Sequence, residues 1–204
     1  MSHLRERKGG CFLRKSNLFL QKICLDRGVH FKSKEVRTGK GFDMARSVFY
    51  SFHYQNDISR VMAVRNRWVT YGNQVASGII DHADFEKVQR QGDAAIKRWI
   101  DSQLSGTSAT IVLIGAETLK RPYVQYEICE SLKRGNAVIG VYIHSMRNLA
   151  GYKSTACDRH TVIGYYDDGR PAYFDNVADG IYDYVNQDGY NNLDAWVEAA
   201  VRRH

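Results

Sequence analysis

A single carboxylate framed by aromatic side chains offers this chain its clearest opportunity for chemistry. Glu127 follows Tyr123 at i−4 and Tyr126 at i−1 within Arg121-Pro122-Tyr123-Val124-Gln125-Tyr126-Glu127-Ile128-Cys129-Glu130-Ser131. If the segment is helical, the i−4 spacing sets the Tyr123 ring one turn below the carboxylate on the same face. A carboxylate beside aromatic walls can steady positive charge developing at the anomeric carbon of a sugar. An isolated Glu on an amphipathic helix is otherwise an ordinary solvated residue, so the elements around it must decide.

Those elements read as an alternation. Arg46 to His53 is β-branched and aromatic and predicts a first strand. Asp57 predicts the N-cap of a helix running to Trp68 through Ile58, Val61, Met62 and Val64. Val75 to Asp81 predicts a short second strand. Asp84 to Leu104 predicts a long helix with Gly92 weakening its middle by about 1 kcal/mol. The apolar run Ala109 to Gly115 predicts a third strand covered on both faces. Pro122 suits the first turn of the next helix, and Val124, Ile128 and Leu132 give it a buried stripe. Gly135-Asn136 stops that helix, and Ala137 to Ile143 predicts a fourth strand. Beyond His144 the pattern weakens to a hairpin around Asp167-Asp168-Gly169-Arg170 and a closing helix from Leu193 to Val201.

Strand alternating with helix four times implies an α/β fold with a parallel sheet wrapped on both faces. Ligands in such sheets sit outside the carboxyl ends of the strands. Here those ends carry Ser51-Phe52-His53-Tyr54, Asp81-His82 and Glu117-Thr118-Leu119-Lys120-Arg121, with Glu127 on the helix that follows. Each has a plainer role open to it. Ser51 can cap a loop, Phe52 can belong to the core, His53 can pack in its loop, and Asp81 can cap a helix. Tyr123 and Tyr126 can be packing residues, and Glu130 with Arg134 reads as a surface pair worth about 0.3 kcal/mol.

Composition narrows the function classes. Of 29 Lys/Arg and 22 Asp/Glu, residues 1–43 hold 11 and 4, leaving 18 and 18 for residues 44–204. The body of the chain therefore carries no net electrostatic signature for nucleic acid or an anionic membrane. Residues 1–43 are expected to form a basic, disordered extension, within which Cys11 to Leu25 could wind into a short basic amphipathic helix. Met44 stands immediately before the first strand as an alternative start, so residues 44–204 form the expected domain. The four cysteines (11, 24, 129 and 157) form no C-x-x-C pair and imply neither a disulfide framework nor a metal site. Without a signal peptide or a long apolar span, the expected location is the cytoplasm. Thr38-Gly39-Lys40-Gly41 lacks the upstream Gly and the trailing Ser/Thr of a phosphate loop.

Several blocks, in order, resemble the TIR-like domains of the Thoeris anti-phage system. They are Val48-Phe49-Tyr50-Ser51-Phe52-His53-Tyr54, Val64-Arg65-Asn66-Arg67-Trp68-Val69, Val112-Leu113-Ile114-Gly115, Tyr126-Glu127-Ile128, Gly135-Asn136, Ile139-Gly140-Val141 and Asp188-Gly189-Tyr190-Asn191. The resemblance covers residues 44–204 and implies a flavodoxin-like, three-layer TIR-type fold. It also implies an enzyme that cleaves NAD at the nicotinamide–ribose bond and cyclises the product to a cyclic ADP-ribose isomer. That messenger would diffuse to a companion effector after a phage component triggers the enzyme, and self-association is common among such domains. NAD would be substrate, with no prosthetic group. The family's catalytic Glu falls on Glu127, its acidic residue at the end of the second strand on Asp81, and its bulky aromatic at i−4 on Tyr123, often Trp in relatives. Ser51 and Phe52 would shape the pocket with them.

The chemistry suits one carboxylate. Nicotinamide bound to ribose is already a cationic leaving group and departs neutral, so no general acid is required, in contrast to cleavage of a sugar–oxygen bond. Each 1.4 kcal/mol of transition-state stabilisation gives about tenfold in rate. Cyclisation additionally requires that a hydroxyl of the ADP-ribose reach the anomeric carbon before water, which aromatic walls such as Phe52, Tyr54, Tyr123 and Tyr126 would favour. Two rival classes share the fold. A non-catalytic TIR-like adaptor acting by protein contact would behave identically with Gln at position 127. A phospho-acceptor receiver needs an acidic pair after the first strand and an Asp ending the third, where this chain has Ser51-Phe52-His53 and Gly115-Ala116.

Overall fold

The computed structural model describes residues 12–13, 47–71, 76–77, 88 and 90–204, with backbone alone at 12–13, 68–71 and 76–77. In chain order the strands are β1 (Phe12–Leu13), β2 (Val48–Phe52), β3 (Ala76–Ser77), β4 (Ala109–Ile114), β5 (Ala137–Tyr142), β6 (Val162–Tyr166), β7 (Pro171–Tyr173) and β8 (Gly180–Asp183). The helices are α1 (Tyr54–Tyr71), α2 (Asp93–Leu104), α3 (Pro122–Lys133), α4 (Phe174–Val177) and α5 (Gly189–Val201), with a 3-10 turn at Thr118–Lys120 before α3.

The central sheet has the order β3-β2-β4-β5-β8, and every neighbouring pair is parallel. Numbered within the sheet alone, that order is 2-1-3-4-5, the flavodoxin-like winding, in which the order reverses between β2 and β4. Side chains alternate across this sheet. Val48, Tyr50, Ile111, Leu113, Ile139 and Val141 face Val61 and Val64 of α1 and Leu193, Val197 and Ala200 of α5. On the opposite face, Val112, Ile114 and Val138 pack beneath Val124, Ile128 and Cys129 of α3, while Phe49 meets Ile96, Ile100 and Leu104 around α2. The result is an α/β three-layer fold. Burial on both faces explains the continuous apolar reading of β4, every residue of which is buried.

Beside it, β6 pairs antiparallel with β7 and parallel with β1, forming a three-stranded sheet. The expected hairpin around Asp167-Asp168-Gly169-Arg170 is present, and Phe174 leaves it to begin α4. In the leading segment, Phe12 and Leu13 are extended opposite Tyr165 and Tyr166. The rest of residues 1–43 lies outside the described residues.

Four expectations need correction. Asp57 is not the N-cap of α1, because the helix begins at Tyr54 and the Asp57 carboxyl is turned inward to pair with Arg60. Gly92 does not sit within a helix. Its φ of 90° takes it out of the helical region, and α2 begins after it at Asp93. β8 lies outside the four-strand pattern and completes the central sheet beside β5. α5 starts at Gly189, a turn before Leu193, and Asp188 precedes it in the left-handed region.

Candidate active site

Pro122 opens α3 at its first position, and Val124 and Ile128 turn toward the sheet. One residue before Ile128, Glu127 is carried into the interface and retains 8% of its surface. Ser51, penultimate in β2 and fully buried, donates from Oγ to Glu127 Oε2 at 2.6 Å. Burial pushes the Glu127 carboxyl up to about 8, and the Ser51 hydrogen bond acts against that rise. In this state the carboxyl is mostly neutral at pH 7.

Charged groups stand at the edge of this contact. On α2, Asp93 pairs with Lys97 at 2.8 Å, and Asp101 accepts from Tyr126 Oη and from Arg134, each at 3.2 Å. Lys97 lies 5.5 Å from the Tyr126 ring centre. Arg134 thus pairs with Asp101, and Glu130 takes Lys133 at 2.7 Å, so the expected Glu130–Arg134 pair is replaced by two others. Tyr123 and Tyr126 both pack against the cluster of Phe49, Ile96, Ile100 and Leu104. Burial, followed by the nearby Asp93 charge, raises the pKa of the Tyr123 hydroxyl above the usual phenol range. The two aromatics that frame Glu127 in sequence therefore form one apolar wall with α2.

Phe52 is placed differently. Strand alternation sets it on the face opposite Ser51, where it packs against the α1–α5 core with its ring 6.2 Å from that of Tyr54. Asp81 lies outside the described residues. His53 is nearly buried, its Nδ1 has no hydrogen-bond partner among the described residues, and burial followed by the Arg121 charge lowers its pKa.

At the reversal between β2 and β4, the structure adds a polar cluster built around Asp57. The Asp57 carboxylate lies against the Cα of Gly115, where an added Cβ would stand 2.1 Å from Oδ2. Burial raises the pKa of Asp57, and Arg60 opposes the rise through its charge and a 2.9 Å hydrogen bond to Oδ1. Arg60 also donates to the carbonyls of Met146 (2.8 Å), Tyr152 (3.0 Å) and Asn56 (3.3 Å), tying α1 to the loop after β5. Glu117 accepts from Asn56 at 3.2 Å and pairs with Arg121. Thr118 Oγ1 accepts from the Gly115 N–H at 2.9 Å. The Asp57–Arg60 spacing of i, i+3 was a readable signal, but surface pairs share it.

A separate hollow of about 640 Å³ opens beyond β5 and β8, lined by Ser145, Met146, Arg147, Tyr184, Val185, Asp188 and Tyr190. It includes neither Ser51 nor Glu127. Among the described residues, no group of three His, Cys, Asp or Glu side chains is arranged to hold a metal ion. Cys129 and Cys157 are buried thiols outside any disulfide, and Cys129 donates to the Ile163 carbonyl at 3.5 Å. No helix among the described residues is long and apolar enough to cross a membrane.

Comparison with known proteins agrees with this architecture. The family model described as "Thoeris protein ThsB, TIR-like domain" matches residues 49–148, a span that includes both Ser51 and Glu127. A Bacillus cereus (strain MSX-D12) protein named "Putative cyclic ADP-D-ribose synthase ThsB1" is 35% identical over 191 residues, covering 76% of this chain and 100% of the relative. With the 2-1-3-4-5 sheet and a match spanning the whole of that relative, the chain belongs to the ThsB family of TIR-like Thoeris proteins.

Proposed function

We propose that this chain cleaves NAD at the nicotinamide–ribose bond and closes the ADP-ribose product into a cyclic isomer that serves as a defence signal. The observation that carries the reading is the buried Glu127 carboxyl, held by Ser51 beside the strand-order reversal of the sheet. The name of the Bacillus cereus relative supports the product class.

In the proposed reaction the ribose C1–N bond breaks and its electron pair leaves with nicotinamide, which departs neutral. Glu127 acts as a carboxylate against the positive charge left on the sugar. A neutral carboxyl cannot do this, and burial leaves Glu127 mostly neutral at pH 7. A cationic substrate at the site favours the ionised form, so binding and ionisation are coupled. A hydroxyl of the same ADP-ribose then bonds to C1, and its proton passes to the carboxylate. Ser51 orients Glu127, and Tyr123 with Tyr126 supplies the wall that keeps water from competing. Asp81 is the proposed ribose contact from the end of the second strand. Phe52, facing the other side of β2, would reach a ligand only over the end of that strand. NAD is the substrate, and no prosthetic group takes part.

The product would act on a companion effector by diffusion, in the cytoplasm, after a phage component triggers the enzyme. Self-association would complete the active form. Residues 1–43 would be a basic extension outside this machinery. The test is mass spectrometry of small molecules from phage-challenged cells expressing wild type or Glu127→Gln. A cyclic ADP-ribose isomer in the wild type alone supports the proposal. Protection against phage that survives Glu127→Gln, with no such product in either strain, favours a non-catalytic adaptor.

A further inference from the structure

We infer that Thr110 and Ser131 are positioning residues for Glu127, acting through a buried seam of hydroxyls between α3 and the sheet; the functional meaning of the seam rests on the proposed role of Glu127. Ser51, Thr110 and Ser131 are all fully buried in an otherwise apolar interface. Apolar residues would fill these positions without placing a hydroxyl out of water, so each hydroxyl needs a partner. Each has one. Ser131 Oγ donates to the carbonyl oxygen of Glu127 at 2.6 Å, and Thr110 Oγ1 lies 2.7 Å from Ser131 Oγ. A serine carries one hydroxyl proton, and that of Ser131 is committed to Glu127, so Thr110 is the donor to Ser131.

The contacts close a ring. Thr110 sits on β4 in register with Phe49, and Ser51 on β2 is in register with Val112, so Thr110 and Ser51 share one face of paired strands. Glu127 is consequently held at two points, by its side chain to β2 through Ser51 and by its backbone carbonyl to β4 through Ser131 and Thr110. The other contacts of α3 with the sheet are apolar or aromatic, Val124, Ile128 and Cys129 against Val112, Ile114 and Val138, and Tyr123 and Tyr126 against the cluster around Phe49. Apolar packing opposes separation but has no direction of its own. Hydrogen bonds are directional, and this pair fixes how far α3 can slide along the strands. A displacement on the order of 1 Å at a catalytic carboxylate is enough to slow a reaction by up to about a hundredfold.

The experiment uses the full chain carrying Thr110→Val with Ser131→Ala, which removes both hydroxyls without orphaning either. Two quantities are read: the titration midpoint of the Glu127 carboxyl carbon by NMR, assigned with Glu127→Gln, and kcat and KM for nicotinamide release from NAD. Loosening the Ser51 contact removes the one interaction that lowers the carboxyl's pKa, so its midpoint should rise by about half a pH unit or more. The expected kinetic change is a roughly tenfold fall in kcat with KM within about twofold, and Thr110→Ser should retain wild-type values of both. A folded double variant with an unmoved midpoint and unchanged kcat overturns the inference. If the double variant does not fold, Thr110→Val alone, which leaves the Ser131–Glu127 bond intact, is judged by the same readouts. Should wild type release no nicotinamide, the proposed function fails while the carboxyl midpoint still decides whether the seam positions Glu127.

Discussion

Replacing Glu127 by Gln should change how stability depends on pH, and the change can be worked from the buried carboxyl. Glu127 is held at about 8 in the fold against an ordinary 4.5. Between those values the unfolded chain has released the proton and the native state has kept it. Stability must therefore be full below about pH 4.5, fall as pH rises, and level off above about pH 8. A difference of about 3.5 units at about 1.4 kcal/mol each gives a total loss of roughly 5 kcal/mol, spread at about 1.4 kcal/mol per pH unit. Glutamine keeps the shape, can accept from Ser51, and has no proton to lose. Urea denaturation of both proteins from pH 5 to 9, taken as the difference between them, cancels every other titrating group. The Gln variant should gain on wild type by roughly 3.5 kcal/mol between pH 5 and pH 8. Curves that stay parallel across that range would refute the reasoning, because they would mean that the native carboxyl is hydrated.

Three further outcomes follow from named contacts. Ser51→Ala should move the Glu127 midpoint further upward in a carboxyl NMR titration and slow NAD cleavage by roughly tenfold or more, since a lost charge-assisted hydrogen bond is worth about 1.5–3 kcal/mol. Asp57→Ala should lower stability by about 3–5 kcal/mol in urea, because it leaves the Arg60 guanidinium buried without its counter-charge. Gly115→Ala places a methyl group against the Asp57 carboxylate and should lower stability by about 1–3 kcal/mol, visible as a drop of several degrees in Tm.

The parts of the fold that were legible in sequence are those where one local rule acts alone. β4 reads as a strand because both of its faces are covered, and α3 because Pro122 opens it and Gly135-Asn136 closes it. Where a residue type serves two roles, local sequence does not decide between them. Asp57 has the chemistry of a cap, and only the fold shows its carboxyl committed to Arg60. Gly92 looks tolerable inside a long helix until its positive φ is known. β8 is a half-buried edge strand whose four residues, Gly180 to Asp183, show no two-residue alternation.

The candidate site divides along similar lines. Glu127 could be singled out by its aromatic neighbours and by family resemblance, whereas its bond to Ser51 joins residues 76 apart in sequence. The Thr110–Ser131 contact is equally non-local. Phe52 did carry a readable signal. In a strand, adjacent residues face opposite sides, so Ser51 and Phe52 could not both turn toward α3.

The measurement closest to the central claim is nicotinamide release from NAD by wild type and Glu127→Gln, assayed side by side in lysates of phage-challenged cells with the purified proteins as reference. The account predicts release by wild type and a loss of at least about a hundredfold in the variant, the effect of removing a charge from the developing cation. Equal release by the two proteins would contradict it.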